Sequence, residues 1–276
     1  MRTTVGIDIG STYTKAVVAA ESGEMLGRAL IPTGFQLAEA GERTAREALA
    51  VAGVAASEVA FTVATGFGRH QAQTADLKVT DLTAAARGAS ALFPRTRTIL
   101  DVGGQTMKAS RIDDRVHVKS FRLNDKCAAG TGAFLEKTAR YMGYATEEIG
   151  PLVVTSKTPT TISGVCAVFA ESEVINHLSQ GVSPADIMHG AIVSLVGRSI
   201  QLLKRVQMEP EFTLIGGILR FETMVRVIRE QLAADVNVPA GDLVQFVPAF
   251  GAAMLGHRRL RARDTAPEIS PAEGVR

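Results

Sequence analysis

The chain has 276 residues, of which 46% are hydrophobic and 21% charged, so it is long enough to bury a large core in one or two domains. Its formal net charge of +2 at pH 7 is too small to indicate nucleic acid or an acidic membrane surface as a partner. No stretch approaches the ~18 apolar residues that cross a bilayer, and two cysteines exclude a disulfide framework, so we expect a cytoplasmic protein.

The first predicted unit is a pair of strands joined by a glycine-containing turn. A β-rich apolar segment at residues 4–7 precedes the sequence Asp8-Ile9-Gly10-Ser11-Thr12-Tyr13-Thr14-Lys15, and a second apolar segment follows at 16–20. The next predicted elements are a helix at 37–53, a strand at 59–65 and a helix at 81–93. This order of elements indicates the start of an α/β lobe.

The same turn sequence occurs a second time. The segment Asp101-Val102-Gly103-Gly104-Gln105-Thr106-Met107-Lys108-Ala109 matches Asp8 to Ala16 without a gap, at an offset of 101 − 8 = 93 residues. Asp, Gly, Lys and Ala coincide in the two copies, and β-rich segments flank each copy. Two copies in the same context predict a duplicated α/β unit, with a first lobe at 1–90 and a second lobe at 91–263.

The remaining elements are mostly helices of the second lobe. They are predicted at residues 133–142, 167–180, 184–206, 221–234 and 248–261. A strand at 212–215 leads into Gly216-Gly217, and the tail at 264–276 is predicted to be disordered.

The twin Asp-x-Gly turns predict a nucleotide site, although the sequence contains neither the G-x-x-x-x-G-K-[ST] loop nor a G-x-G-x-x-G turn between a strand and a helix. Glycines at these turns allow backbone N–H groups to approach phosphate oxygens closely. The groups available for phosphate binding are Gly10, Gly103, Gly104, Ser11, Thr12, Thr14, Thr106 and Lys15.

Two carboxylates and one amide complete this predicted site. Asp8 and Asp101, at strand ends, suit a hydrated Mg²⁺, and Gln105 is placed to orient an attacking water. Lys108 is expected to be a solvated side chain. The alternative interpretation is that both turns are ordinary hairpins with surface lysines.

Cys127 and Cys166 both lie in conspicuous surroundings. Cys127 is followed by Ala-Ala-Gly-Thr-Gly, and both cysteines precede predicted helices, whose N-termini lower the pKa of a thiol. Two thiolates are half of the ligands that an iron–sulfur or zinc site needs, so a metal site would require a second chain. A buried, apolar role remains open, above all for Cys166 between Val165 and Ala167.

These motifs together resemble a known family. The twin hairpins and Leu214-Ile215-Gly216-Gly217 are similar to the phosphate and adenosine motifs of the acetate and sugar kinase/Hsp70/actin superfamily. Asn-Asp-Lys-Cys-Ala-Ala-Gly-Thr-Gly, around Cys127, and Cys-Ala-Val-Phe-Ala-Glu-Ser-Glu, from Cys166, resemble the iron–sulfur ATPases of the BadF/BadG/BcrA/BcrD type. That family comprises activators of 2-hydroxyacyl-CoA dehydratases and ATPase subunits of benzoyl-CoA reductase. The resemblance extends from about residue 4 to residue 256.

The resemblance implies an α/β fold of two duplicated actin-like (ribonuclease H-like) lobes with a nucleotide cleft between them. It implies that ATP or ADP, with Mg²⁺ on Asp8 and Asp101, is bound in the cleft. The nucleotide-binding residues that it implies are Asp8, Gly10, Ser11, Thr12, Tyr13, Lys15, Asp101, Gly103, Gly104, Gln105, Gly216 and Gly217. Cys127 and Cys166 would share one [4Fe–4S] cluster with the same cysteines of a second ATPase subunit, identical or paralogous.

The resemblance also implies partners and an activity. ATP hydrolysis would drive low-potential electrons from a ferredoxin or flavodoxin into a CoA-thioester-reducing component. The segment Ile218-Leu219-Arg220-Phe221-Glu222, together with Gln105-Thr106-Met107-Lys108, favours the benzoyl-CoA reductase branch over the dehydratase activators. Two other classes of protein remain as alternatives: a small-molecule kinase of the amino-sugar type without a cluster, and an Hsp70- or actin-like interaction module.

Overall fold

The computed structural model of the chain describes residues 2–124, 131–163 and 167–265, without the side chains of 167 and 168. Both cysteines, Cys127 and Cys166, and most of the tail predicted to be disordered lie outside the described residues. Within the described ranges no helix is both long and apolar enough to cross a bilayer.

Ten strands and eight α-helices make up the described part of the chain. The strands are β1 (Thr3–Ile9), β2 (Tyr13–Ala20), β3 (Met25–Pro32), β4 (Val59–Thr65), β5 (Leu77–Lys78), β6 (Thr98–Val102), β7 (Met107–Ile112), β8 (Val118–Asn124), β9 (Phe212–Ile215) and β10 (Val236–Asn237). The helices are α1 (Leu37–Ala52), α2 (Asp81–Leu92), α3 (Gly132–Tyr141), α4 (Ile149–Val154), α5 (Ala167–Ser179), α6 (Pro184–Arg205), α7 (Glu222–Leu232) and α8 (Val247–Asp264).

The strands form two five-stranded sheets with the same topology. The first has the order β3-β2-β1-β4-β5 and the second β8-β7-β6-β9-β10. In each sheet the central strand, β1 or β6, pairs antiparallel with the next strand in sequence and parallel with the strand on its other side. The duplicated α/β architecture predicted from the 93-residue repeat is therefore confirmed.

The predicted helices and strands are found close to their expected ends, because local signals define them. Helix α1 ends at Gly53, whose left-handed backbone (φ 65°) closes the last turn. Helix α6 begins with Pro184 after Ser183, whose side chain accepts a hydrogen bond from the N–H of Asp186. The sequence reading missed β3, β5, β8, β10 and α4, which are edge strands or elements of two to six residues.

Helix α8 lies at the end of the segment assigned to the second lobe, yet it packs against β1, β2 and β4 of the first sheet and against α2. Its contact face includes several small residues, among them Ala249, Gly251 and Ala253, so backbones approach closely there. A Cβ atom on Gly251 would overlap the carbonyl oxygen of Ala84 in α2, and one on Gly6 in β1 would overlap the carbonyl oxygen of Ala249. The lobe bounds at 1–90 and 91–263 stay a prediction, and α8 connects the two parts.

Asp186, in the first turn of α6, holds the segment that leads toward Cys166 in the sequence. Its carboxylate accepts hydrogen bonds from the N–H groups of Thr158 and Lys157 at 2.9 Å and from the Ser156 hydroxyl at 2.8 Å. The bond from the Thr158 N–H, followed by those from the Ser156 and Ser183 hydroxyls, lowers the pKa of Asp186 to about 2. This segment is therefore fixed to α6 at every pH at which the carboxylate is ionised.

We expect Gly251→Ala to destabilise the protein, because the added methyl group has no space between α8 and α2. Overpacking of this kind costs about 1–3 kcal/mol of unfolding free energy, which urea unfolding measures. Gly197→Ala is the matched control. Gly197 lies in helix α6, and a Cβ there meets no heavy atom within 4 Å apart from the backbone of its own helix. It should stabilise the helix by about 0.5–1 kcal/mol. Equal unfolding free energies for the two variants would contradict this packing.

Candidate functional site

The two Asp-x-Gly turns have the same geometry. Asp8 pairs with Lys15 across β1 and β2, and Asp101 pairs with Lys108 across β6 and β7. The same backbone hydrogen bond closes each turn, from Gly10 N to Tyr13 O at 3.2 Å and, 93 residues later, from Gly103 N to Thr106 O at 2.8 Å.

The turns meet at the centre of the molecule. A Cβ atom on Gly104 would lie 2.7 Å from Oγ1 of Thr12, so only glycine permits this approach of one turn to the other. The Thr12 hydroxyl is buried and has no hydrogen-bond partner among the described residues. A buried hydroxyl without a partner is costly, and a ligand oxygen in the cleft would satisfy it.

A cleft of about 910 Å³ opens beside the two turns, large enough for a nucleotide. Every nucleotide-site residue assigned from the family resemblance lines it: Asp8, Gly10, Ser11, Thr12, Tyr13, Lys15, Asp101, Gly103, Gly104, Gln105, Gly216 and Gly217. The structure thus brings together residues that lie more than 200 positions apart in the chain.

Thr14, which we expected to face phosphate, does not line the cleft. It is buried, and its hydroxyl is hydrogen-bonded to that of Thr33 at 2.9 Å. The alternation of side chains along β2 explains this difference, since Thr14 points to the face of the sheet opposite to its neighbours Tyr13 and Lys15.

A glycine lies against each aspartate. Gly66 follows β4 with φ +86°, and a Cβ atom on it would overlap Oδ1 of Asp8. Gly216 follows β9 with φ +101°, and a Cβ atom there would lie 2.7 Å from Oδ1 of Asp101. Both glycines follow strands parallel to the aspartate-bearing strands, so the duplication extends to the walls of the site.

Lys108 is not the solvated side chain that we expected. Only 16% of its side chain is exposed, and its Nζ lies 2.6 Å from Oδ2 of Asp81 and 3.7 Å from Oδ2 of Asp101. Burial disfavours the charged form of Lys108, but the two carboxylates outweigh burial, so its pKa lies above the ordinary value. Lys15 makes the corresponding, single contact with Asp8, at 3.3 Å.

Asp101 is the perturbed carboxylate of the cleft. Burial raises the pKa of its carboxyl above the ordinary value, and Lys108 opposes this rise. The neighbouring carboxylates of Asp81 and Asp8 raise it further. Lys108 offsets the rise only in part, because burial has the larger effect on the pKa of Asp101.

The sequence reading missed further cleft residues, which include Arg69, Asp81, Glu136, Arg220 and Gln245. Asp81 carried a local signal: it follows Thr80, whose hydroxyl caps α2 by accepting a hydrogen bond from Thr83 N. Its ion pair with Lys108 joins α2 to β7, and no local sequence pattern indicates this contact.

The donors around the cleft fit a nucleotide with a divalent cation. Backbone N–H groups at glycine turns and two lysines suit phosphate oxygens, and two carboxylates at strand ends suit Mg²⁺ that keeps several waters. No group of three or more His, Cys, Asp or Glu residues suited to a metal ion occurs in the described part of the chain. Cys127 and Cys166, expected to ligate a cluster, lie outside it.

Known proteins are similar to this chain over most of its length. A model of the BadF/BadG/BcrA/BcrD ATPase family matches residues 5–256. The chain is 37% identical over 254 residues to an activator of lactoyl-CoA dehydratase from Anaerotignum propionicum, covering 92% of this chain and 97% of the relative. It is 35% identical over 269 residues to one of the subunits of benzoyl-CoA reductase from Thauera aromatica, covering 93% of each.

One solved structure has a nucleotide analogue bound. The activator of the 2-hydroxyisocaproyl-CoA dehydratase from Clostridium difficile, with bound ADPNP, superimposes with a TM-score of 0.88 at 33% identity. The match covers 98% of this chain and all of that chain.

We expect Lys108→Met to move the acid limb of the pH profile of ATP hydrolysis to higher pH. Lys108 lowers the pKa of Asp101, so its loss raises that pKa further and the ionised carboxylate forms only at higher pH. Steady-state ATPase rates measured across pH test this. Lys108→Arg keeps the charge and should leave the limb in place.

Lys78→Met is the matched control, because Lys78 is exposed and donates only to the His70 carbonyl oxygen, at 3.2 Å. An acid limb that is the same in wild type and Lys108→Met would exclude this electrostatic role of Lys108.

Proposed function

The chain belongs to the BadF/BadG/BcrA/BcrD ATPase family, and from this membership we propose that it is the ATP-hydrolysing activator of a 2-hydroxyacyl-CoA dehydratase. The observation that carries the nucleotide part is the pair of equivalent hairpin turns facing one cleft, each with an aspartate between a lysine and a glycine. The identity of the component that accepts the electrons is the more specific part of the proposal.

The benzoyl-CoA reductase branch, which we favoured from residues 218–222, is not the better-supported acceptor. The comparisons favour the alternative, since the relative named as a dehydratase activator is 37% identical and the relative from benzoyl-CoA reductase is 35% identical. The structural match with TM-score 0.88 is also to a dehydratase activator. Residues 217–220 form a short 3₁₀ helix beside Gly216, and Ile218 and Arg220 of this segment line the cleft.

We assign the following roles to the cleft residues. The N–H groups of the two turns, other than those of Gly10 and Gly103 that close them, bind phosphate oxygens together with the Thr12 hydroxyl. Asp8 and Asp101 hold the Mg²⁺ that accompanies the triphosphate, and Lys15 adds a positive charge. Gln105, in the second turn, orients the water that attacks the terminal phosphate.

The nucleoside end of the cleft is assigned to the second lobe. Gly216 and Gly217 follow β9, and the positive φ of Gly216 turns the chain along the cleft wall. A Cβ atom on Gly217 would lie 3.5 Å from Oε1 of Gln245, so the amide of Gln245 is within reach of a base or ribose hydroxyl that rests on these glycines. The side chains of Ile218 and Arg220 line the same region.

We assign Cys127 and Cys166 to one [4Fe–4S] cluster shared with a second ATPase subunit. Such a cluster transfers one electron at a time, at a potential that depends on its hydrogen bonds and solvent exposure. Helix α3 begins at Gly132, five positions after Cys127, and α5 begins at Ala167, directly after Cys166. Both helices contact each other, which supports a common site for the two cysteine segments.

We expect Asp8→Ala and Asp101→Ala each to reduce ATP hydrolysis by about two to three orders of magnitude while the iron content stays unchanged. Cys127→Ser and Cys166→Ser should show the reverse: loss of iron with nucleotide binding retained. Anaerobic purification, iron analysis and ATPase assays measure both effects. Asp114→Ala, at an acid 85% exposed and paired with Arg97, is the matched control.

Normal hydrolysis in both aspartate variants would refute the nucleotide assignment. A colourless protein that phosphorylates a small molecule, such as an amino sugar, would instead favour the kinase alternative.

The acceptor is tested by reconstitution. We expect the anaerobically purified chain, with ATP, Mg²⁺ and a chemical reductant, to start dehydration of a 2-hydroxyacyl-CoA by a dehydratase component. The same mixture with the Asp101→Ala variant should remain inactive. ATP-dependent reduction of benzoyl-CoA by a reductase component, without any dehydratase activation, would overturn the choice of acceptor and leave the ATPase assignment intact.

A further inference from the structure

Helix α3 begins directly on the second phosphate turn. Its first two N–H groups, of Gly132 and Ala133, donate to the carbonyl oxygens of Gly103 and Gly104 at 3.0 and 2.7 Å. A helix usually caps these N–H groups with a side chain or water, so the turn itself serves as the cap here. Any displacement of Gly103-Gly104 therefore moves the start of α3.

The tight packing around Gly132 strengthens this connection. A Cβ atom there would lie 3.2 Å from the Gly103 carbonyl oxygen and 2.6 Å from Cδ1 of Ile218, which lines the nucleoside end of the cleft. One turn further along α3, Glu136 lines the cleft as well. The helix thus contacts both the phosphate end and the nucleoside end of the site.

Few side chains of helix α5 are buried, although Leu178 packs partly against the core, Glu173 accepts a hydrogen bond from the Ser163 N–H and His177 contacts the Thr161 carbonyl oxygen. Among its described side chains only Ala170 and Val174 are buried, and both are small. Phe169 and Ile175 are 65% and 52% exposed. Small buried side chains provide little interlocking, so packing alone restrains the position of α5 only loosely.

One carboxylate of α5 binds α3 through two groups on the same face of that helix. Oε2 of Glu171 lies 2.8 Å from Nζ of Lys137 and 3.4 Å from the hydroxyl of Tyr141. Lys137 and Tyr141 are four positions apart, and the ammonium group lies 5.8 Å from the centre of the tyrosine ring. The Glu171 side chain is only 19% exposed, so this carboxylate is held more firmly than a free surface acid.

We propose that Glu171 is a positioning residue that carries nucleotide-dependent movement of α3 to α5. The path runs from the turn at Gly103-Gly104 through the rigid helix α3 to Lys137 and Tyr141, and across their contacts with Glu171 into α5. The proposal rests on the proposed function, because it requires that ATP binds at the second turn. The ion pair of Glu171 with Lys137, which lies outside the cleft, thus couples the movement of α5 to that of α3.

The contribution of Glu171 to folding is expected to be small. Half-exposed ion pairs such as that of Lys137, whose side chain is 51% exposed, contribute little to stability. The direction of the pKa shift agrees with a formed contact, since the hydrogen bond to Glu171 raises the pKa of Lys137. Variants of Glu171 and Lys137 should therefore fold, and they should change the coupling between α3 and α5.

Hydrogen–deuterium exchange of the anaerobically purified, full-length protein tests the proposal without an acceptor. In the wild type, addition of Mg²⁺ with ATP or ADP should change exchange in peptides from both α3 and α5. In Glu171→Gln and Lys137→Met the change in α3 should persist, and the change in α5 should fall by about twofold or more. The exchanged-charge double variant Lys137→Glu/Glu171→Lys should recover it.

Arg140→Met is the matched control. Arg140 lies on the same helix and forms an ion pair with Glu136 at 3.0 Å, but this pair stays within α3. Its loss should leave the responses of both helices as in the wild type, with ATPase activity unchanged.

Three results would overturn the coupling role. They are an α5 response in Glu171→Gln equal to the wild type, no α5 response in the wild type, or failure of the double variant to recover it. If ATP is bound and hydrolysed but exchange in α5 does not change, the coupling role of Glu171 is refuted and the proposed function is not. A wild type that neither binds nor hydrolyses ATP refutes the proposed function as well.

Discussion

Two nearly buried carboxylates at strand ends are the constraint on which the cleft depends. Asp8 and Asp101 each lie between a lysine on the neighbouring antiparallel strand and a glycine of positive φ after the neighbouring parallel strand. A carboxylate in such surroundings needs a counter-charge, and removing one partner of a buried pair leaves a charge that water no longer stabilises. The register of three strands in each sheet must therefore be correct before the site exists.

The charges that line the cleft indicate which form of nucleotide it accepts. The ionisable groups are Asp8, Lys15, Arg69, Asp81, Asp101, Lys108, Glu136, Glu147 and Arg220. Five acids and four bases give −5 + 4 = −1, so the cleft is slightly negative at neutral pH when all nine are ionised. These carboxylates would repel a free triphosphate. In its complex with Mg²⁺, the cation supplies positive charge that attracts them. Until Mg²⁺ binds, the ion pairs of Lys15 with Asp8 and of Lys108 with Asp81 and Asp101 limit the repulsion between the carboxylates.

Much of this arrangement could be predicted from sequence, because the informative signals are local or repeated. The Asp-x-Gly copies 93 residues apart predicted both hairpins, and the helix predicted at 184–206 coincides closely with α6. Partners across the fold could not be predicted in the same way. Asp81 and Lys108 meet because α2 and β7 are adjacent in space, and nothing near Lys108 in the sequence indicates this. For the acceptor, the comparisons support the dehydratase alternative better than the benzoyl-CoA reductase branch, and the segment 218–222 used for that choice lies partly in the cleft wall.

The return of α8 to the first sheet has a consequence for how the chain is made. Residues 247–264 cover β1, β2 and β4, which end between 247 − 65 = 182 and 247 − 9 = 238 residues earlier in the chain. Domains generally fold as units from the N-terminus during synthesis. Here the face of the first sheet that α8 covers stays exposed on the ribosome until residues 247–264 have been synthesised. The strands of the second sheet and helices α3 to α7 lie within residues 98–237, but the face of that sheet with Ile99, Ile112 and Ile215 packs against α2 and Val247, so it too is completed only when α8 is present.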